Sequence, residues 1–203
     1  MKKYNKVTPE GTKDLLFEEC SARKEVEQLL SGVFESRGFH GVVTPGFEFY
    51  DVFDPAVSGI APEIMYKMTD HKGRLIVMRP DSTMPIARLC ATRMEGAELP
   101  LRLCYVGSAF GNDADAQSQR REFTQAGVEL LGLPGAKGDA EVIALAIVAM
   151  KEAGLTDFQI DLGQVEFFRG LMDQVGMNER AAEQLREHVE QKNELAFQLM
   201  LKN

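Results

Sequence analysis

The chain of 203 residues is long enough to enclose a hydrophobic core, and one domain of ordinary size accounts for most of it. Its net charge of −8 argues against broad, non-specific binding to nucleic acid, which depends on cations that neutralise phosphates. Hydrophobic residues make up 44% and charged residues 27%, as in soluble globular proteins. Neither a membrane-spanning run nor a signal peptide is seen, so we expect a cytoplasmic protein with no membrane partner.

Cysteine and histidine usage predicts neither a disulfide framework nor a metal site. The three cysteines, Cys20, Cys90 and Cys104, are odd in number and lack Cys-x-x-Cys spacing, so we expect reduced thiols. The three histidines are scattered along the chain. The common nucleotide-binding, zinc-protease and serine-hydrolase motifs are missing from the sequence, and no cofactor is predicted.

The first predicted elements are a polar arm, a helix and a short strand. Residues 1–14 are rich in turn formers. An apolar stripe with helical spacing then predicts a helix whose core face comprises Val26, Leu29, Leu30, Val33 and Phe34. Gly38 predicts the end of this helix. Val42 and Val43 predict a short strand, which Pro45 ends or confines to a sheet edge.

A dense aromatic cluster follows Pro45, and two interpretations of it stay open. Its members are Phe47, Phe49, Tyr50, Val52 and Phe53. The cluster can belong to the hydrophobic core. It can also lie at a subunit interface, where aromatic side chains are enriched.

Residues 64–78 predict a β-hairpin, with Gly73 at the turn position that needs a positive φ. A polar turn follows it and leads into a helix, for which Ser82 or Thr83 is the predicted N-cap. Such a turn presents backbone N–H groups and the carboxylate of Asp81 at a fixed place, as a ligand site would require. An ordinary helix cap explains the same residues.

The stretch from Leu101 to Gly132 predicts a second hairpin, in which two apolar runs flank a polar loop. Because side chains alternate along a strand, one face of the second strand presents a cation, a ring, an amide, a glycine and a carboxylate. These residues, with a final leucine, are Arg121, Phe123, Gln125, Gly127, Glu129 and Leu131. The face suits a small zwitterion or a nucleotide. A solvated sheet face with an ion pair between strands is the alternative.

Three helices and one strand are predicted after this hairpin. The first helix, capped at Gly138 and Asp139, is apolar nearly all round over 142–150 and is expected to be buried on most sides. Residues 158–162 predict a short strand, Gly163 and Gln164 begin the next helix, and Asn178 begins the last one. The irregular alternation of elements predicts an α+β fold with a mainly antiparallel sheet flanked by helices.

Four segments resemble, in order and spacing, the class II core of histidyl-tRNA synthetase and its paralogue, the regulatory subunit of ATP phosphoribosyltransferase. They are TPEGTKDLL, GFHGVVTPGFEFYDVF, IMYKMTDHKGRLIVMRPDSTMPIARL, and YVGSAF with RREFTQAGVELLG. The resemblance covers essentially the whole chain. It implies a class II synthetase-like core at 1–177, incomplete at its C-terminus, and a helix at 178–203 that leads into a missing or inserted segment. We therefore expect an N-terminal fragment.

Two features favour the regulatory subunit over the synthetase. The segment IDLGQVEFFRGLM resembles the pattern of the regulatory subunit, with Gln164 in place of its histidine. Gly111 follows Phe110 where the synthetase has the arginine that binds the α-phosphate and carboxylate during adenylation. Loss of one such preorganised group typically costs about 100-fold or more in rate, so no adenylating enzyme is expected.

The resemblance implies a regulatory subunit of a glycosyltransferase complex. Such a subunit forms a hetero-oligomer with the short catalytic subunit of ATP phosphoribosyltransferase, activates it, and relays feedback inhibition by histidine in the first step of histidine biosynthesis. Histidine would be its allosteric ligand. No nucleic-acid partner is expected.

The resemblance also assigns residues to two sites. A histidine-like pocket would comprise Asp81, where the family usually has glutamate, with Thr83, Gln125 and Glu129. Asp81 or Glu129 would accept hydrogen bonds from the α-ammonium group, and Gln125 would bind polar edges of the ligand.

Three further positions correspond to the synthetase's nucleotide site. They are Gly111, Arg121 and Phe123, the last two at positions where the synthetase clamps phosphate and stacks adenine. Pro45 lies in the motif that forms the class II dimer interface, which favours the interface interpretation of its aromatic neighbours and implies a self-dimer.

Two other functions stay open. The chain can be a divergent or truncated histidyl-tRNA synthetase, for which ATP/pyrophosphate exchange with histidine is the test. It can also be a class II-like protein recruited to another amino acid or to a purely structural role. A neighbouring gene for the short catalytic subunit is required only by the regulatory interpretation.

Overall fold

The computed structural model describes residues 4–111, 120–190 and 193–200. The chain divides into two compact units, Met1–Thr156 and Asp157–Asn203. The predicted boundary between a core at 1–177 and a helix at 178–203 stays a prediction. Within the described residues, no helix combines the length and the apolar character that a membrane span requires.

The first unit contains helices and two small sheets, which agrees with the predicted α+β class. Its elements are α1 (Phe17–Ser36), β1 (His40–Gly41), β2 (Phe47–Phe49), α2 (Pro55–Ser58), β3 (Lys67–Thr69), β4 (Leu75–Met78), α3 (Thr83–Arg93), β5 (Leu101–Phe110), β6 (Glu122–Leu131) and α4 (Ala136–Glu152). The second unit contains α5 (Val165–Val175), α6 (Glu179–Glu190) and α7 (Glu194–Met200).

The first sheet has the order β1-β5-β6. Strands β5 and β6 pair antiparallel along their whole length, from Leu101 opposite Leu131 to Phe110 opposite Glu122. This pairing confirms the strands of the predicted central hairpin. Most of its predicted loop, residues 112–119, lies outside the described residues.

One face of this sheet packs against helices. Cys104 of β5 belongs to a buried cluster with Phe34, Phe39, Leu145 and Ala149, and the β6 residues that pack against this cluster are Ala126, Val128 and Leu130. Because neighbouring residues of a strand point to opposite faces, the β6 residues with odd numbers from 123 to 129 lie on the other face. The predicted alternation is therefore confirmed.

The second sheet, β2-β4-β3, is antiparallel, and its tight turn matches the prediction. Gly73 has φ 75°. Asp70 stabilises the turn, because its Oδ1 accepts hydrogen bonds from the backbone N–H groups of Lys72 and Arg74. These bonds lower the pKa of Asp70, with the Arg74 backbone as the largest cause.

The aromatic cluster after Pro45 is divided between core and surface. Phe53 is fully buried with Met65 and Val77, whereas Phe47 and Phe49 are 53% and 42% exposed. The core interpretation therefore holds for Phe53. The exposed rings leave an interface there as a prediction.

Two predictions for the first unit, one for a strand and one for a helix, need correction. The β1 strand comprises His40–Gly41 rather than Val42 and Val43, and only Val42 extends the pairing, by an N–H bond of 2.9 Å to the Cys104 carbonyl. Helix α4 begins at Ala136 rather than after Gly138 and Asp139. Its residues Val142 and Met150 are exposed, so the helix is not buried on most sides.

In the second unit, the predicted start of a helix at Gln164 is confirmed, but two other predictions are wrong. Residues 158–162 form no strand. The predicted single helix from Asn178 is two helices, α6 and α7. Asn178 accepts a hydrogen bond from the N–H of Ala181, and Asn193 accepts one from Ala196, so each asparagine caps a separate helix.

Candidate functional site

Asp81 holds the start of α3. Its Oδ1 accepts hydrogen bonds from the backbone N–H groups of Thr83, at 2.7 Å, and Met84, at 3.3 Å. The side chain of Ser82 makes no capping bond, and its buried hydroxyl has no hydrogen-bond partner among the described residues. Asp81 therefore provides the side-chain cap that the sequence assigned to Ser82 or Thr83.

Gln125 fastens this turn to the central hairpin. Its Oε1 accepts a hydrogen bond from the N–H of Ser82 at 3.0 Å, and its Nε2 donates to Oδ2 of Asp81 at 3.1 Å. The Thr83 hydroxyl donates to the same Oδ2 at 3.3 Å. The Asp81 carboxylate thus accepts four hydrogen bonds from the protein, which is about the full capacity of a carboxylate.

Glu129 is the second carboxylate on this face, and it is half-buried. Burial raises the pKa of Glu129, and the Asp81 carboxylate raises it further, while an interaction with the Thr83 side chain lowers it. The structure therefore brings together Asp81, Thr83, Gln125 and Glu129, which we call the candidate pocket. Glu129 keeps more acceptor capacity for a ligand than Asp81 does.

Tyr105 lies on the same face of the sheet, although it is not among the site residues predicted from the sequence. It pairs with Gly127, and a Cβ atom at Gly127 would lie 2.6 Å from the Tyr105 hydroxyl oxygen. Burial raises the pKa of Tyr105 to about 12, with the charges of Glu129 and Asp81 as further causes. Gly127 does permit a close approach, as the sequence suggests, but the group that approaches is the tyrosine.

Arg79 is a second residue that the sequence did not predict for the site. Its hydrogen bonds join the two sheets. It follows β4 and is only 9% exposed. Its Nε donates to the carbonyl of Ser108 at 2.7 Å, and its Nη1 donates to the carbonyl and hydroxyl oxygens of Thr44 at 2.9 and 3.0 Å. A glycine at 107 leaves room for the guanidinium group, because a Cβ there would lie 2.5 Å from Nη2.

The three nucleotide-site positions lie together at the other end of β6. The N–H of Gly111 donates to the carbonyl of Arg121 at 3.1 Å, and the N–H of Arg121 donates to the carbonyl of Gly11 at 2.8 Å. A Cβ atom added at Gly111 would lie 3.9 Å from the Phe123 ring. Phe123 and Glu129 are six residues apart, roughly 20 Å along the strand, so the two groups are distinct regions of one face.

The described residues contain no group of three or more histidine, cysteine or acidic side chains that could hold a metal ion. The three cysteines are free thiols, and Cys104 is buried. Burial raises the pKa of the Cys104 thiol, and the charge of Glu35 raises it further.

Comparison with curated proteins identifies regulatory subunits as relatives. The protein of Acetivibrio thermocellus named ATP phosphoribosyltransferase regulatory subunit is 45% identical over 98% of this chain and 47% of its own length. The protein of the same name from Clostridium acetobutylicum is 42% identical over 95% of this chain and 47% of its own length. The chain thus spans about half the length of the curated relatives it matches.

Solved structures and one family model relate the chain to histidyl-tRNA synthetase as well. A Bacillus halodurans structure described as an ATP phosphoribosyltransferase regulatory subunit/histidyl-tRNA synthetase superposes with a TM-score of 0.89 at 36% identity, covering 100% of this chain and 52% of that one. A histidine–tRNA ligase subunit from Alicyclobacillus acidocaldarius, at 23% identity, TM-score 0.84, and coverage of 100% and 58%, shows the shared fold. The model described as histidyl-tRNA synthetase matches residues 11–203, and the chain belongs to the histidyl-tRNA synthetase family, with its class II fold.

Proposed function

We propose that this chain belongs to a regulatory subunit of ATP phosphoribosyltransferase that binds histidine and catalyses no reaction itself. The proposal rests on one observation: the chain has an assembled candidate pocket and, at position 111, a glycine. The pocket retains carboxylates for a cationic ligand. Gly111 offers no side chain to stabilise a phosphoryl group.

Glu129 is the proposed acceptor for the ligand. Asp81 already accepts four hydrogen bonds from the protein, whereas Glu129 interacts mainly with Thr83. A protonated amine or an imidazole N–H can donate to Glu129 in surroundings where partial burial strengthens a charge-assisted hydrogen bond. In this proposal Asp81 and Gln125 act as positioning residues.

The proposed partner is the short catalytic subunit, in the cytoplasm. The names of the relatives support this partnership. Self-association through the Pro45 region is part of the proposal, and the exposed rings of Phe47 and Phe49 support it, because exposed aromatic residues are enriched at protein interfaces. Histidine acts as an allosteric ligand if it binds differently to the active and inhibited states of the complex.

The test is calorimetric titration of histidine into the chain in its full natural length. We expect saturable binding by the wild type and a loss of about tenfold or more in Glu129→Gln, since a hydrogen bond to a charged group is removed. Glu122→Gln is the matched control, because Glu122 lies on the same strand but on the opposite face. Equal binding by Glu129→Gln and the wild type would show that this pocket is not the histidine site.

The regulatory role needs a second measurement with the short catalytic subunit of the same organism. We expect phosphoribosyltransferase activity to rise when the chain is added and to fall again with histidine. Unchanged activity contradicts the regulatory role. ATP/pyrophosphate exchange in the presence of histidine would support the synthetase alternative instead.

A further inference from the structure

The buried guanidinium group of Arg79 lacks an acidic partner among the described residues. Its hydrogen bonds go to two carbonyl oxygens and one hydroxyl oxygen, all of them neutral. The Nη2 atom takes part in none of these bonds. A buried charge without an opposite charge is costly, so a site with this arrangement favours an anionic ligand group.

Nη2 lies on the face of the sheet that contains the candidate pocket. It is 2.5 Å from the place that a Cβ of Gly107 would occupy, and Gly107 pairs directly with Gln125. The charge of Arg79 also acts on Tyr105, two residues along β5 on the same face. Gln125 and Glu129 are four residues apart on β6, a span of about 13 Å.

We propose that Arg79 binds the carboxylate of an α-amino acid in the candidate pocket through Nη2, with the end of the ligand's side chain, the imidazole N–H in histidine, towards Glu129. The proposal rests on the proposed function, since it assigns a second ligand-binding residue to the same pocket. A histidine molecule with a hydrogen bond at each end is of the right length for this span. Arg79 then supplies a positive charge beside the candidate pocket, whereas Gly111 has no side chain to supply one.

Gly107 is a condition for this recognition. A side chain there would displace Nη2, because the 2.5 Å separation is shorter than any normal contact of a Cβ atom. The variant would keep the positive charge of Arg79, but the guanidinium group would be displaced from the face that is proposed to bind the ligand. Gly107→Ala therefore tests the position of the charge separately from its presence.

The experiment compares histidine with histamine, which has the same imidazole and amine but no carboxylate. The chain in its full natural length is titrated with each compound, as wild type, Arg79→Gln, Gly107→Ala and Gly41→Ala. We expect the wild type to prefer histidine by about 10- to 100-fold, the range for a hydrogen bond between charged groups. Arg79→Gln and Gly107→Ala should lose this preference and keep their affinity for histamine. Gly41→Ala, at a glycine with open space around it, should keep the preference.

Arg79 also joins the two sheets, so Arg79→Gln is used only if its circular dichroism and melting curve match the wild type. A measurement on the wild type alone supplements the variants: we expect histidine, but not histamine, to shift the guanidinium ¹⁵N signals of Arg79. Equal affinity of the wild type for the two compounds, an unchanged preference in a folded variant, or absent shifts would overturn the role of Arg79. Absence of binding for both compounds would overturn the proposed pocket itself.

Discussion

The two carboxylates of the candidate pocket use their hydrogen-bond capacity in different ways. Asp81 caps α3 and accepts from Gln125, so its oxygens are occupied by the protein. Aspartate is well suited to this task, because its short side chain reaches backbone N–H groups two and three residues ahead. The Asp81 carboxylate is therefore committed to the helix cap and to Gln125, and in the proposed function Glu129 recognises the ligand.

Glu129→Gln should stabilise the folded chain at about pH 8, because it removes a carboxylate whose ionisation burial disfavours. The folded-state pKa of Glu129 is raised above its ordinary value of 4.5. The stability contributed by this group is complete below its unfolded pKa and is lost as the pH rises through the folded pKa. Urea denaturation should show the variant to be more stable at about pH 8 and equal to the wild type at about pH 4.

The control for this measurement is Glu122→Gln, which removes a carboxylate from the opposite face of β6. It should leave the pH dependence of stability as in the wild type. A Glu129→Gln protein that is less stable than the wild type at about pH 8 would mean that the ionised carboxylate stabilises the fold.

Residues of the site that share a strand could be predicted from the sequence, whereas contacts between elements could not. The two-residue alternation along 121–131 placed Gln125 and Glu129 on one face. Tyr105 and Arg79 approach this face across strand pairs and between sheets, so their roles depend on register and packing. The glycines opposite them, Gly127 and Gly107, were the only local signal.

At the scale of elements, an ion pair fixes α3 against the second sheet. Glu48 of β2 is buried, and its carboxylate accepts hydrogen bonds from Nε and Nη2 of Arg88 in α3. The bond from Nε to Oε2 is 3.0 Å long. Because Asp81 caps the same helix, this pair helps to position the turn that forms the candidate pocket.

Arg88→Ala should cost about 3 kcal/mol of unfolding free energy, because it leaves the buried Glu48 carboxylate without its partner. Arg169→Ala is the matched control, since Arg169 pairs with Glu166 while both side chains are about two-thirds exposed. Its cost should stay below about 1 kcal/mol, as for other exposed pairs. Chemical denaturation of both variants measures the difference, and equal costs would show that burial does not strengthen the dependence on Arg88.

The sequence predicts elements well where a local pattern is sufficient. Gly73 and Gln164 marked their turn and helix start, because glycine φ and side-chain capping act within a few residues. The alternating apolar and polar residues at 158–162 are typical of a strand, but a strand forms only with a pairing partner. The division between α6 and α7 has a local signal in Asn193, which the amphipathic pattern obscured.

At the scale of the whole molecule, the chain forms two units and spans about half of its curated relatives. The second unit begins at Asp157, and its first residues, 157–164, form neither helix nor strand. Leu162 in this segment is 71% exposed. Such segments are preferred sites of proteolysis.

Limited digestion with chymotrypsin should therefore cleave at Phe158 or Leu162 before any other site that follows Gly132 in the sequence. Mass spectrometry of the first fragments gives the position of cleavage. A first cleavage in this region near Met177 would instead favour the predicted boundary between 177 and 178. The same digestion of a Leu162→Asp variant should slow cleavage at that position and leave cleavage at Phe158 unchanged.

The hydrogen bonds of Arg79 connect the two sheets at the point where the ligand's carboxylate is proposed to bind. Thr44, which accepts two of them, is followed directly by Pro45 and then by the exposed ring of Phe47. A ligand that shifts the guanidinium group would also shift Thr44 and the segment after it, which the resemblance assigns to the dimer interface. In the proposed dimer, the single side chain of Arg79 would therefore connect the bound carboxylate to the proposed interface segment.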